Sequence, residues 1–414
     1  ARLMEQLNDL CRKTWPAVSA SLCLLGSSCP AGARARRRAN ITSKGLPTII
    51  SKVPHAACWS SVPEEAIEGW RLAGAEPELR RKLVSYAILA PNPHNRQPWL
   101  VDLRREGEIT LHCDLERLLP MTDPHGRQIL IGHGCFLELL TLAATAFGQR
   151  AEIALFPEGE PGMERLDERP VARVRLTAEA GSRDPLFGQI LARGTYRNPF
   201  AAKTVPSAQL QALVAAAARP GVEARSTRDP ALVARLNEIL VRAWDIEQDT
   251  PRTWKESVDL TRVGADEIRR HRDGISLGGT LMELLRMLGQ MTPEKAMDRD
   301  SAYFSGGKKR VKEWVPTTSS WLWLVTSAQG RAAQIAAGRA FARLQLKAAE
   351  LGLVSQPPSQ VLQEYAEMRA LQRDFETLVG QKPGEKVQML VRAGYADSAP
   401  VRSPRRALVG FMRS

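Results

Sequence analysis

Ala90-Pro91-Asn92-Pro93-His94-Asn95-Arg96-Gln97-Pro98-Trp99 is the stretch around which the other 404 of 414 residues are read. Leu79, Leu83, Tyr86, Ala87 and Ala90 before it recur at helical spacing, and Pro91 and Pro93 then forbid continuation of that helix. After it, Trp99-Leu100-Val101-Asp102-Leu103 reads as a strand. Between helix and strand lie Asn92, Asn95 and Gln97, whose amides each donate and accept hydrogen bonds, so the loop suits the rim of a planar polar ligand. Asn and Pro are also ordinary turn residues, and by itself an Asn/Pro loop is more often only a turn.

The order of residues narrows that choice. Ala-Pro-x-x-x-Asn-x-Gln-Pro-Trp resembles the flavin-contacting loop of the nitroreductase family, and Ser85 to Trp99 resembles the acg-type branch of it. The resemblance implies an α+β nitroreductase-like fold in which two fused lobes imitate the family dimer. Each lobe would be a central, mainly antiparallel sheet flanked by helices.

The composition sets outer bounds. A net charge of +13 points to anionic partners without choosing among phosphate groups, nucleic acid and acidic surfaces. Six cysteines, at 11, 23, 29, 58, 113 and 135, contain no CxxC pair, which argues against a disulfide framework and excludes a zinc ribbon. His133 shares a helical stripe with Ile129, Phe136 and Leu140 and reads as a core histidine, so no metal site is expected.

Residues 1–70 read as a leader or basic segment outside the fold. An apolar piece, Ala17 to Gly26, is too short to span a bilayer, and a basic cluster follows at Arg34, Arg36, Arg37 and Arg38. Two compartments stay open: cytoplasmic, or periplasmic through the twin-arginine-type signal with which relatives on this branch often begin. No membrane span is expected.

Residues 71–180 read as the first lobe, with a strand pair across Arg105-Glu106-Gly107 and a long helix from about Arg127 to Gly148. Residues 181–414 read as the second lobe, interrupted by a helical insertion at about 230–325. Ser305-Gly306-Gly307-Lys308-Lys309-Arg310 is expected to be a glycine hinge there, and Trp314, Trp321 and Trp323 are assigned to the same insertion. The corresponding region of acg-type relatives is a lid over the flavin.

Three further stretches bear on the ligand. Arg193-Gly194-Thr195-Tyr196-Arg197 offers two guanidinium forks four residues apart and resembles the family's Arg-x-Ser-x-Arg/Lys phosphate motif, with one extra residue before Phe200. Leu351 to Gln360 resembles the segment whose backbone passes the flavin N5 edge; Ser359 and Gln360 stand where many members have Glu-Gly. Arg405 and Arg406 match the basic pair with which members finish.

The resemblance implies one FMN between the lobes, with NAD(P)H as electron donor. Arg193, Arg197, Arg405 and Arg406 would hold the phosphate, with Gly194 in the loop between them, and Thr195 would hold the phosphate or ribityl chain. Asn92, Pro93, Asn95 and Gln97 would line the ring or ribityl edge, and Pro357, Ser359 and Gln360 the N5 edge. No catalytic side chain is demanded, because hydride passes between stacked rings and protons can come from water. A small-molecule acceptor, nitroaromatic or quinone-like, and a pseudo-dimeric monomer follow. The rival is a flavin-binding protein with little turnover. A nucleic-acid-binding protein ranks third, since no RRM, KH, zinc-finger or helix-turn-helix signature supports it.

Overall fold

The structure, a computed structural model, describes residues 61–179 and 183–413. The apolar piece Ala17 to Gly26, the basic cluster Arg34 to Arg38 and the cysteines at 11, 23, 29 and 58 lie outside the described residues.

Order begins before residue 70. Helix α1 (Glu68–Arg71) carries Trp70, which is 2% exposed and donates its indole N–H to the carbonyl of Ser403 at 2.9 Å. Helix α1 thus lies within the stretch expected to stand outside the fold; a lone tryptophan has no periodicity to announce that it packs. Helix α2 (Leu79–Ala87) starts where the Glu78 carboxylate accepts from the N–H groups of Arg80 and Arg81 and stops short of Pro91. Arg80 then reaches the carbonyls of Leu103 and Arg105 at 2.8 and 2.7 Å, tying the helix to the next turn.

That turn joins β1 (Trp99–Asp102) and β2 (Glu108–Cys113), antiparallel with Trp99 opposite Cys113. With β3 (Gln149–Leu155) and β4 (Ala172–Ala178) they form a four-stranded sheet in the order β1-β2-β4-β3. Helix α3 (Arg127–Ala146) lies between β2 and β3 in sequence; it is apolar and long enough to cross a bilayer, but 83% of that stretch is buried in the fold. Its hydrophobicity serves a core, as does His133, 0% exposed and bonded through Nδ1 to the carbonyl of Ile129.

Helix α4 (Ser207–Ala217) leads into the second sheet, ordered β5-β8-β10-β9, from β5 (Val222–Thr227), β8 (Trp321–Thr326), β9 (Val354–Gln356) and β10 (Lys386–Gly394). Strands β5 and β8 pair directly, so everything between them is one insertion. It holds α5 (Pro230–Asp249), α6 (Pro251–Asp259), β6 (Thr261–Val263), α7 (Ala265–His271), β7 (Ile275–Leu277), α8 (Thr280–Met287), α9 (Pro293–Met297) and α10 (Ala302–Trp314).

Two expectations about this region are corrected. Gly306 and Gly307 lie inside α10, where they form no hinge; a Cβ on Gly307 would stand 3.3 Å from Gln248 Oε1, so the glycine serves close approach to α5. Trp321 and Trp323 belong to the buried central strand β8, because alternating large apolar residues fill a strand covered on both faces as readily as they line a ligand.

Helix α11 (Arg331–Glu350) crosses α3 at the centre of the molecule. A Cβ on Gly134 would overlap the Ile335 carbonyl and one on Gly338 the Ile131 carbonyl, so the two backbones touch at paired glycines. Beside the crossing, buried Glu138 on α3 accepts from Arg339 Nε at 2.7 Å, Arg343 Nη1 at 3.0 Å and Arg219 Nη1 at 2.9 Å. The result is an α+β molecule of two sheets backed by one pair of central helices. Helix α12 (Arg369–Leu378) packs against the insertion side.

Candidate functional site

The amide loop is held by its own amides. Asn92 donates to the Ala90 carbonyl at 3.1 Å and accepts from the Gln97 N–H at 2.7 Å. Asn95 donates to Pro404 O at 3.0 Å and accepts from Arg405 Nη1 at 2.6 Å. Gln97 donates to Arg272 O at 2.8 Å and accepts from the Arg406 N–H at 3.0 Å. Residues 94, 95 and 97 all adopt left-handed backbone, with φ of 46, 51 and 52°. Such conformations are uncommon outside glycine and persist where surrounding bonds over-determine them. Pro93, half-buried, opens the single turn that contains them.

The C-terminal basic pair sits on this loop. Arg405 is 1% exposed and sends Nε to Ile88 O (2.8 Å), Nη2 to Leu89 O (3.0 Å) and Ala90 O (3.1 Å), and Nη1 to Asn95 and Pro404. Its donors are therefore spent on the carbonyls that end α2 and on the loop. Arg193 does likewise, donating to Leu89 O and to Gln345 Oε1 at 3.2 Å, and Trp70 lies against both guanidinium groups. Arg406 donates to Gln97 O at 2.8 Å while its ring neighbour Phe411 lies 4.3 Å away; burial and nearby Arg117 push its pKa down to about 10.

Arg197 differs from these three. It keeps exposed surface, yet burial lowers its pKa. The charge of Arg197 also depresses His94 on the amide loop and Arg310 on α10, so three segments far apart in sequence face one another. Arg310 bonds Asn198 Oδ1 at 3.1 Å, and burial brings it to about 10.

The remaining positions fall beside Arg197. Thr195 pairs with Ser355 as a parallel bridge, and the Tyr196 N–H donates to Ser355 O at 3.0 Å, so the arginine motif runs along β9. Strand β9 leads straight into Pro357, Ser359 and Gln360, all half-buried; the Gln360 side chain bonds the carboxyl of Glu247 on α5. Gly194 has no room for a side chain, since a Cβ would come within 2.6 Å of Pro400 Cβ. A cleft of about 360 Å³ opens beside Arg193 and Gly194, bordered by Gln345, Ser355 and Pro400, but the Arg193 and Gln345 side chains there bond each other.

Sequence reasoning did not single out Arg392, Arg310, His94 or Glu247. Arg392 is 0% exposed, lies 4.0 Å from the Phe200 ring and 4.1 Å from that of Trp314, and donates to Tyr196 O and Asn198 O at 3.2 and 2.8 Å. It thereby fixes the backbone on either side of Arg197, and burial lowers it to about 9. A lone charged residue in an otherwise apolar strand was its only sequence signal. Among the described residues no cluster of metal-ligating side chains occurs.

No family model matches the chain. Among proteins of known name, acg of Mycobacterium tuberculosis, which carries the name of an NAD(P)H nitroreductase, is 32% identical over 130 residues, 30% of this chain and 36% of that protein. The chain thus aligns with about a third of the length of the curated relatives it matches. Among solved structures, the FMN-dependent nitroreductase NfnB from Mycobacterium smegmatis in complex with NADPH is 21% identical, covering 55% of this chain and 96% of that one at a TM-score of 0.34. A nitroreductase with bound FMN from Bacteroides fragilis is 16% identical, covering 56% and 98% at a TM-score of 0.33. Over those 130 residues, which take in 30% of the chain, the protein is similar in sequence to acg.

Proposed function

We propose that the chain binds one FMN beside Arg197, between the arginine motif and the amide loop, and acts as an FMN-dependent oxidoreductase of nitroreductase type. Hydride would pass from NAD(P)H to a nitroaromatic or quinone-like acceptor. The observation that carries this reading is the position of Arg197: exposed, and near enough to His94 of the amide loop and Arg310 of α10 for its charge to lower the pKa of both. Two guanidinium groups side by side favour a doubly charged oxygen anion such as a phosphate monoester.

Roles divide accordingly. Arg197, with Thr195 beside it, is assigned to the phosphate and ribityl chain; the backbone of Pro93, His94 and Asn95 to the ring edge; and Pro357, Ser359 and Gln360 to the opposite edge. Arg193, Arg405, Arg406, Asn92, Asn95 and Gln97 serve FMN by holding the loop in shape, since each spends donors on the loop or on the carbonyls that end α2, though Nε of Arg193 and of Arg406 is buried without a partner. Bound FMN would supply the two-electron carrier, and the protein orients it and excludes water. The single chain would do what a family dimer does, with the insertion as its lid.

A second reading, a flavin-binding protein with little turnover, is favoured by the bonds that hold the insertion down. Arg272 O and the Gly274 N–H, both on the insertion, bond Gln97 and Asn95 O at 2.8 and 3.3 Å. A visible spectrum of the purified protein followed by anaerobic mixing with NADH or NADPH separates the readings. Flavin absorbance that bleaches and returns with a quinone supports the enzyme. A yellow protein that keeps its colour with both donors supports the binding protein, and a colourless one rejects both.

A further inference from the structure

Glu247 on α5 is 3% exposed and, among the described residues, has no ion pair. Its carboxyl is instead bonded to Ser257 Oγ on α6 at 2.8 Å, to Gln363 Nε2 at 3.1 Å and to the side chain of Gln360. Ser257 Oγ in turn lies 3.3 Å from His94 Nε2 on the amide loop. The other ring nitrogen, His94 Nδ1, is buried without a hydrogen-bond partner. A carboxyl, a hydroxyl and an imidazole thus form one file from the insertion to the loop assigned to the cofactor edge.

Each member of that file accepts on one side and donates on the other. With Glu247 ionised, the Ser257 hydroxyl donates to the carboxylate, His94 Nε2–H donates to Ser257, and Nδ1 is bare. With Glu247 protonated, its O–H donates to Ser257, the Ser257 hydroxyl donates to Nε2, and the hydrogen of the ring sits on Nδ1. Protonation of Glu247 therefore favours the Nδ1–H tautomer of His94, and the imidazole stays neutral in both states.

We propose that Glu247, Ser257 and His94 are a proton relay, delivering from the insertion to the amide loop the one proton that a quinone-type acceptor takes up beside a hydride. The assignment rests on the oxidoreductase reading given above. In the delivering step the Nδ1–H bond breaks and a bond from hydrogen to the acceptor forms. Nε2 takes the Ser257 proton, Ser257 takes the Glu247 proton, and a carboxylate remains; the delivering state returns when Glu247 takes one solvent proton and the ring hydrogen exchanges from Nε2 back to Nδ1. The two electrons come from NAD(P)H.

Electrostatics suit both ends. Burial holds the Glu247 carboxyl above its ordinary range despite the bonds from Ser257, Gln363 and Gln360, and Glu256 adds to the rise. Burial, with Arg197 and Arg96 facing the ring, pushes His94 down to about 4, so it is neutral wherever Glu247 titrates above that. Tyr365, the other titratable group beside Glu247, is raised by burial and ionises only in strong base.

The test is 15N NMR of the full chain labelled at histidine, which reads the proton-bearing nitrogen of His94 directly. As pH rises from about 5 to 8, the wild-type resonance should move from the Nδ1–H to the Nε2–H tautomer without passing through imidazolium. Ser257→Ala and Glu247→Gln should each abolish that movement while leaving the visible flavin spectrum intact. A wild-type tautomer ratio that does not change with pH, or a change that persists in Ser257→Ala, overturns the relay. In single-turnover oxidation by a quinone, Glu247→Gln should slow the step by on the order of 100-fold and shift its pH profile; an unchanged rate and profile also overturns the assignment. A colourless protein that still switches tautomer would reject the flavin reading and leave the relay standing.

Discussion

Four arginines were grouped on one anion by their sequence positions, and their surroundings separate them. Arg405 and Arg193 end on main-chain carbonyls at the C-terminus of α2, where a cation answers both the unpaired carbonyls and the helix dipole. Arg405→Ala would leave a set of buried carbonyls and the Asn95 amide without donors, at a cost of about 3 kcal/mol; chemical denaturation should show a lowered midpoint. Arg197→Ala removes a group that the fold does not lean on. Its unfolding midpoint should stay near wild type while flavin retention after dialysis falls at least tenfold, about 1.4 kcal/mol. A variant that loses stability and keeps flavin would reverse the assignment. Neither role was legible beforehand, because Arg-x-Thr-x-Arg and a terminal Arg-Arg give charge and spacing but not what each guanidinium meets. The loop amides show the same limit: composition marks Asn92, Asn95 and Gln97 as able to donate and accept, but not that their side chains bond Ala90, Pro404, Arg272 and Arg406 within the fold.

The elements themselves were more legible than the residues they carry. Strands β1 and β2 and helices α3 and α11 fall where periodicity puts them, since a long apolar stripe constrains a helix over many turns. The insertion was less so. Within it, the stretch from Thr253 to Arg270 divides into α6, the short strand β6 and α7, with Gly264 at φ 87° breaking the backbone ahead of α7. What periodicity could not supply is the contact between α3 and α11, which depends on two small residues meeting across the chain. Gly338→Ala would drive a methyl group into the Ile131 carbonyl, and a rigid helix pair can yield only by separating; the expected loss is about 3 kcal/mol, read as a drop in the thermal midpoint. Glu138 gives the same contact a pH dependence. Burial raises its pKa but Arg339 and Arg219 outweigh it, so the carboxyl ends below its ordinary value. A depressed acid stabilises the fold above its unfolded pKa and loses that contribution as pH falls through its folded one. Glu138→Gln should therefore remove part of the acid-induced loss of stability while lowering stability at neutral pH, by about 3 kcal/mol, with urea titrations across pH as the measurement.

At the scale of the whole molecule the insertion decides between the two functional readings, because it meets the first lobe at specific bonds as well as through Leu260, which joins the apolar core that holds the first lobe. Asp273 accepts from Arg117 of the first lobe at 2.8 Å and from Arg262 of the insertion at 2.9 Å, while Glu256 accepts the N–H groups of Met121 and Thr122 at 3.0 and 2.9 Å. Helices α5 and α10 of the insertion are anchored in one apolar cluster with β8, β10 and α12, so the part that such bonds restrain is the stretch from α6 to α9. Burial works against the Asp273 charge, but Arg262 and Arg117 hold its pKa below the usual carboxylate range. The latch is thus complete above the ordinary aspartate pKa and weakens as pH falls through the depressed one. Asp273→Asn would leave Arg117 and Arg262 facing a neutral amide and shift the equilibrium toward the open form; each 1.4 kcal/mol lost raises the open population about tenfold. If the chain is an enzyme gated by its insertion, flavin release and bleaching by NADH or NADPH should accelerate together in Asp273→Asn, by on the order of tenfold or more. If it is a binding protein, release should accelerate while bleaching stays absent, since opening a door supplies no nicotinamide site behind it. Unchanged release would mean that Asp273 does not restrain the insertion at all.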